Sequence, residues 1–166
     1  MAALEAGTLA PDFVLSTLEG HQVSLEKLLQ RGPVVLAFFK VSCPVCQYAF
    51  PFYERLFHAN QGANVTVLGI SQDGLQETAD FRNEYGVNFP IAIDDEPNHY
   101  AVSNTYGLTN VPTLFYIAQT GEIEVSSVGW SKSDVDEVNA KLAVVRHQKP
   151  PLLWRKGEDV RDFSAG

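Results

Sequence analysis

A chain of 166 residues with 45% hydrophobic and 11% aromatic content can bury one sizeable core and is short for two. Its formal charge of -8 at pH 7 leaves no basic stripe for a phosphate backbone, which argues against a nucleic-acid partner, and an anionic membrane surface would repel it. No apolar run is long enough to span a bilayer, and the opening MAALEAGTLAPDF lacks the cationic start and apolar core of an export signal, so the expectation is a cytoplasmic protein without membrane insertion unless a signal or anchor precedes it.

In chain order, Phe13 and Leu15, then Val23 and Leu25, flank LEGH, which predicts a hairpin with Gly20 in its turn and a brief helix over 24–30. PVVLAFF, residues 33–39, is an unbroken apolar run, the pattern of a strand covered on both faces. From Pro44 to about Asn60 the period is helical: Val45, Ala49, Phe52 and Leu56 form one stripe, with Cys46, Phe50, Tyr53 and Phe57 beside it and Gln47, Glu54, Arg55 and His58 on the polar side. Pro51 falls inside this helix and predicts a kink.

NVTVLGI (64–70) reads as a second buried strand, and Asp73 as the cap of a helix over 75–85 that Gly86 closes. FPIAI (89–93) is a third strand, followed by DDEPN, an acidic loop expected to be solvated, and a short helix ending near Tyr106. TLFYI (113–117) and EIEVSSVG (122–129) read as an antiparallel pair, and Ser131 or Ser133 caps a last helix with Val135, Val138, Leu142 and Val145 on one face. The order predicts an α/β protein: a mixed central sheet with helices on both faces, an N-terminal β-hairpin, one domain over 1–148 and a tail over 149–166.

Both cysteines of the chain lie in one Cys-Pro-Val-Cys motif, Cys43 to Cys46, at a strand-to-helix junction. Residues three apart at a helix start face the same way, with α-carbons roughly 5–6 Å apart, within reach of a disulfide. Free N–H groups and the helix dipole there stabilise a thiolate on Cys43, the expected nucleophile; Cys46, a turn deeper on the apolar side, is the expected resolving thiol. Lys40 is a candidate cation near that thiolate, or a solvated strand-end lysine. A zinc site needs two further ligands, and His58, His99 and His147 stand isolated, so no metal is expected. A purely structural bridge over so short a loop would restrain the unfolded chain little. Trp130 is expected to pack at a strand end, and Trp154 to fold back on the body or touch a second subunit.

Together APDF, VVLAFF leading into Cys43-Pro44-Val45-Cys46, Pro51, YGVNFP (85–90) and Val111-Pro112-Thr113 resemble the thioredoxin-like superfamily, in particular the redoxin and TlpA-like thiol-disulfide oxidoreductases, over about residues 8–146. The resemblance implies a three-layer thioredoxin fold, a cis Pro112 opposite the cysteines, and substrate contacts from Val111, Pro112, Thr113, Pro44 and Val45. It implies a protein disulfide or dithiol partner, an upstream thiol electron donor and no bound cofactor. Three positions depart from the pattern: Ala37 and Ala49 stand where such proteins carry a carboxylate near the second thiol, and Ser42 where an aromatic residue is usual. The neighbouring peroxiredoxins share APDF, but their Pro-x-x-x-Thr-x-x-Cys slots hold Leu36 and Lys40 here, which argues against efficient peroxide reduction. A redox-inert thioredoxin-like binding module is the remaining alternative.

Overall fold

A computed structural model describes residues 2–166. Two short strands, β1 (Val14–Thr17) and β2 (Gln22–Ser24), form the hairpin, with Gly20 at φ +85 in the turn, a value that favours glycine. Ser24 then caps α1 (Leu25–Arg31), accepting from the Lys27 N–H at 3.3 Å. The apolar run becomes β3 (Val34–Phe39), buried at all six positions, and leads through a four-residue loop into α2 (Pro44–Ala59). This helix is continuous through Pro51.

Then follow β4 (Thr66–Ser71), α3 (Leu75–Tyr85), β5 (Ile91–Ile93), a 3-10 turn at Glu96–Asn98, α4 (Ala101–Thr105), β6 (Thr113–Ile117), β7 (Ile123–Val128), β8 (Trp130–Ser131), α5 (Lys132–Val145) and β9 (Phe163–Ser164). The main sheet runs β2-β1-β5-β4-β3-β6-β7. β3, β4 and β5 are parallel, while β1 and β6 run antiparallel to their neighbours, so the sheet is mixed as expected.

Alternation along β3 separates the two cores. Val35, Ala37 and Phe39 face α2, α3 and α5, where Phe50, Tyr53, Phe81, Val138 and Leu142 close over them; Val34, Leu36 and Phe38 face α1 and α4, with Leu25, Val102 and Tyr106. Each such fully buried apolar side chain contributes about 1.5–3 kcal/mol relative to its exposed state.

Four expectations are corrected. Asp73 does not cap α3, whose N-cap is Gly74 without a side-chain bond; its carboxylate instead accepts the Val41 N–H at 2.8 Å, a donor left unpaired where β3 ends. Asp94 is buried rather than solvated, because it supplies acceptors to the Val102 and Ser103 N–H groups, the Ser103 hydroxyl and the Asn98 amide. Glu54 is buried too, accepting from Asn88 N, Asn88 Nδ2 and Phe89 N, with His58 Nε2 at 2.7 Å. Val145 turns outward on the last turn of α5, whose buried face is Val135, Val138, Asn139, Leu142 and Ala143.

The segment after α5 packs back on this body. Arg55 donates to both Glu158 carboxylate oxygens at 2.7 and 2.6 Å and to the Leu153 carbonyl at 2.9 Å, and Leu153 and Val160 join the α2-side core. Trp154 lies edge-on to Phe52 and Trp130, and Trp130 is fully buried at the start of β8.

Candidate functional site

The C-terminal ends of β3 and β4, paired through Phe39 and Ser71, and the start of β6, where Thr113 pairs with Phe38, converge on one edge of the sheet. Openings of this kind in α/β sheets are where ligands bind. Cys43 is the N-cap of α2 and Pro44 its first residue, where the missing proline N–H is not needed. The Cys43 sulfur accepts the Cys46 N–H at 3.2 Å. Across the opening, the Cys43 thiol donates to the Val111 carbonyl at 3.4 Å, and the Val111–Pro112 bond is cis.

The two sulfurs have different surroundings. Cys43 is half-buried and Cys46 buried, and both are free thiols. Burial pushes the Cys46 thiol far above its ordinary range, and hydrogen bonding with Cys43 adds to the rise; the Lys40 backbone opposes it, and the nearby charges of Cys43 and Asp73 add lesser amounts. Such a thiol stays protonated at neutral pH until a proton acceptor or a mixed disulfide on its neighbour changes the balance.

A cavity of about 580 Å³ opens beside Cys43, lined in part by Lys40, Pro44, Gln72, Asn104, Asn110 and Val111. Five of the expected residues therefore gather at one place: Lys40, Cys43, Pro44, Val111 and, beneath them, Cys46. Lys40 is exposed at the rim, and its carbonyl accepts the Cys43 N–H at 3.2 Å. Val45 is half-buried against the α2-side core. Pro112 is buried with its carbonyl accepting from Gly129 N at 2.8 Å, and the buried Thr113 hydroxyl donates to the Asn110 carbonyl at 2.7 Å, closing the turn beneath Val111. A cavity of similar volume at the opposite end of β3, around Pro33, Asn64 and Arg146, holds no cysteine.

Sequence reasoning missed two contributors. Asp73 braces the loop before Cys43 through Val41 N, while Gln47 Nε2 donates to the Val41 carbonyl at 2.9 Å from the other side. Its position just past the strand paired with β3 was the available signal. Gly166 also lines the Cys43 cavity, and nothing in the tail's composition announces that. Among the described residues there is no group of three or more His, Cys, Asp or Glu side chains arranged to hold a metal, and no helix long and apolar enough to cross a membrane.

The AhpC/TSA family model matches residues 6–126. The chain is 34% identical over 134 residues to the thiol-disulfide oxidoreductase ResA of Halalkalibacterium halodurans, covering 80% of this chain and 74% of that protein. Among solved structures it superposes on the thioredoxin domain of a thiol-disulfide oxidoreductase from Bacteroides vulgatus with TM-score 0.74 at 19% identity, covering 84% of this chain and 98% of that one. It superposes almost as well on the peroxidoxin BcpB of Mycobacterium tuberculosis, with TM-score 0.72 at 22% identity and coverage of 86% and 99%. The fold is thioredoxin-like, and fold likeness alone does not separate disulfide exchange from peroxide reduction.

Proposed function

The chain belongs to the AhpC/TSA family, and from that membership we propose that it is a thiol-disulfide oxidoreductase that exchanges disulfides with partner proteins through Cys43 and Cys46. The observation that carries this reading is the asymmetry of the pair: a half-buried sulfur at a helix N-cap, accepting an N–H, beside a fully covered thiol on the next turn. The naming of the relatives as thiol-disulfide oxidoreductases supports the same chemistry.

In the reducing direction the Cys43 thiolate attacks one sulfur of the partner disulfide, breaking that S–S bond and releasing one partner thiolate, which takes up a proton. Cys46 loses its proton and attacks the Cys43 sulfur of the mixed disulfide. The second partner thiol leaves, and an internal Cys43–Cys46 disulfide remains. Two electrons pass from the dithiol to the partner, and an upstream dithiol donor restores them. Val111 stands where a partner chain can align along its backbone, and Pro44 and Val45 flank the attacking sulfur. Lys40 is the one charged side chain lining the cavity beside Cys43.

The cavity lining supports disulfide exchange over peroxide reduction, since it includes no arginine to polarise an O–O bond and its one charged side chain is Lys40. The test is reduction of an insulin disulfide by the reduced protein beside its oxidation by hydrogen peroxide. Exchange with insulin that is lost in Cys43→Ser, with slow oxidation by peroxide, is the expected pattern. Fast peroxide oxidation without insulin turnover would overturn the reading, as would partner binding unaffected by Cys43→Ser with no exchange in either form.

A further inference from the structure

Residues 161–166 run past α2 and β8 and end at the cavity beside Cys43, which Gly166 lines. The Arg161 guanidinium lies 4.2 Å from the Tyr48 ring centre, while the backbone N–H of Arg161 donates to the Tyr48 hydroxyl at 2.9 Å and the Arg161 carbonyl accepts from Trp130 Nε1 at 2.7 Å. β9 pairs antiparallel with β8, Phe163 opposite Ser131 and Ser164 opposite Trp130. The next residues cross Gly129, where a β-carbon would come within 2.6 Å of the Ser164 carbonyl oxygen. Gly166 reaches the turn before Pro112: Asn110 Nδ2 donates to its carbonyl at 3.1 Å, and a β-carbon on Gly166 would overlap the Val111 carbonyl oxygen. That carbonyl is the one accepting from Cys43.

The close approach at Gly129 and Gly166 needs residues without side chains at both contacts. The segment thus sits against the backbone edge on which an extended partner would add as a strand. Its hold is short, a two-residue ladder with Phe163 exposed, so it can be displaced. The opening it leaves uncovered has the volume of a small-molecule pocket and a polar lining whose one charged side chain is Lys40.

From this juxtaposition we infer that residues 163–166 are a resident occupant of the partner groove, so that Cys43 meets small disulfides directly while a protein disulfide must first displace the segment. The inference rests on the exchange reading above and names its substrate preference. With either substrate the electron balance is the same: the S–S bond of the substrate breaks, two thiols leave, and the Cys43–Cys46 bond forms. A groove open only part of the time lowers the apparent affinity for a protein by the open fraction, a cost the small disulfide escapes.

The experiment measures single-turnover oxidation of the reduced protein by insulin and by oxidised glutathione, in the intact chain, in a variant lacking residues 163–166, and in Asn110→Ala, which removes the hydrogen bond to Gly166 without shortening the chain. The ratio of the insulin to the glutathione rate constant should rise about tenfold on deletion, with a smaller rise in Asn110→Ala, for a groove open about a tenth of the time. A ratio that stays constant in both variants overturns the inference, and a ratio that falls shows the segment to be part of the docking surface instead. If neither disulfide oxidises the intact protein, the exchange reading falls with it.

Discussion

The Cys46 amide is directed at the Cys43 sulfur across 3.2 Å while the Cys46 sulfur is itself fully covered. One residue thus directs its backbone N–H at the sulfur of its neighbour and keeps its own thiol covered. Cys46→Ser should leave the first attack intact and block the second, so that reduced variant mixed with a peptide disulfide accumulates a covalent adduct on Cys43, visible as a mass increase. The same mixture with wild-type protein should pass to the internal disulfide. Absence of any adduct in the variant would show that Cys43 is not the attacking sulfur.

Stability of the reduced form should fall in alkali, and Cys46 should begin the fall. Burial raises its folded value above the ordinary 9.0, so the thiol form is favoured by folding. Below pH 9 both states hold the proton and the stabilisation is complete; above it the unfolded chain ionises first and stability drops by about 1.4 kcal/mol per pH unit. Burial raises Tyr53 and Tyr106 as well, and pushes Tyr116 up to about 12, so their share enters only above the ordinary tyrosine value of 10.0. Urea midpoints from pH 7 to 10.5 should therefore decline from about pH 9 in wild type and from about pH 10 in Cys46→Ala. Parallel declines in the two proteins would exclude this assignment.

Asp73 offers two separable effects, a hydrogen bond to Val41 N and a negative charge near Cys46. Asp73→Asn keeps an acceptor for the N–H and loses the charge; Asp73→Ala loses both. If the charge assists removal of the Cys46 proton, both variants should slow decay of the mixed disulfide by about a hundredfold, the low end of the range for a general base. If the brace alone matters, only Asp73→Ala should slow it. Rapid-quench separation of the mixed disulfide measures the step directly.

Glu54 ties α2 to the loop before β5 through three donors from Asn88 and Phe89. Removing the acceptor strands buried N–H groups, so Glu54→Ala should lower unfolding free energy by about 2–4 kcal/mol without altering the reactivity of Cys43 towards iodoacetamide. A loss under about 0.5 kcal/mol, the size expected of a surface site, would contradict the burial of this network.

The Arg55 hydrogen bonds hold the Glu158 carboxyl at about 2, below its ordinary 4.5, with the Arg155 N–H contributing next. A depressed carboxylate stabilises above its unfolded value and ceases to do so as pH drops through the folded one. Docking of the segment after α5 should therefore weaken from pH 4.5 towards 2. Pepsin cleavage around Leu152–Trp154 should rise over that interval, and in Glu158→Gln it should already be rapid at pH 4.5. An identical onset in both proteins would remove Glu158 from the account.

The pattern of apolar runs was enough to reveal the sheet, because an unbroken stretch such as 33–39 has few ways to be buried other than as a central strand. The cysteine spacing was equally informative, since a strand-to-helix junction dictates which sulfur caps the helix. Less legible were Asp73, Asp94 and Glu54: each is an ordinary polar residue in sequence, and its burial depends on N–H donors 32, 8–9 and 34–35 positions away. The run after Gly129 illustrates the same limit. The predicted strand ends at Gly129, at φ +80, and β8 beyond it pairs with β9, a partner so short that no periodicity could advertise it.

Trp130 and Trp154, the only two indoles in the chain, meet edge to face with ring centres 6.1 Å apart, one locked beside the cysteine helix and the other carried by the segment that follows α5. At that separation excitation passes between the rings, so their shared emission and near-ultraviolet ellipticity form a built-in optical gauge. Lifting of the segment can be watched in the unlabelled protein while it turns over.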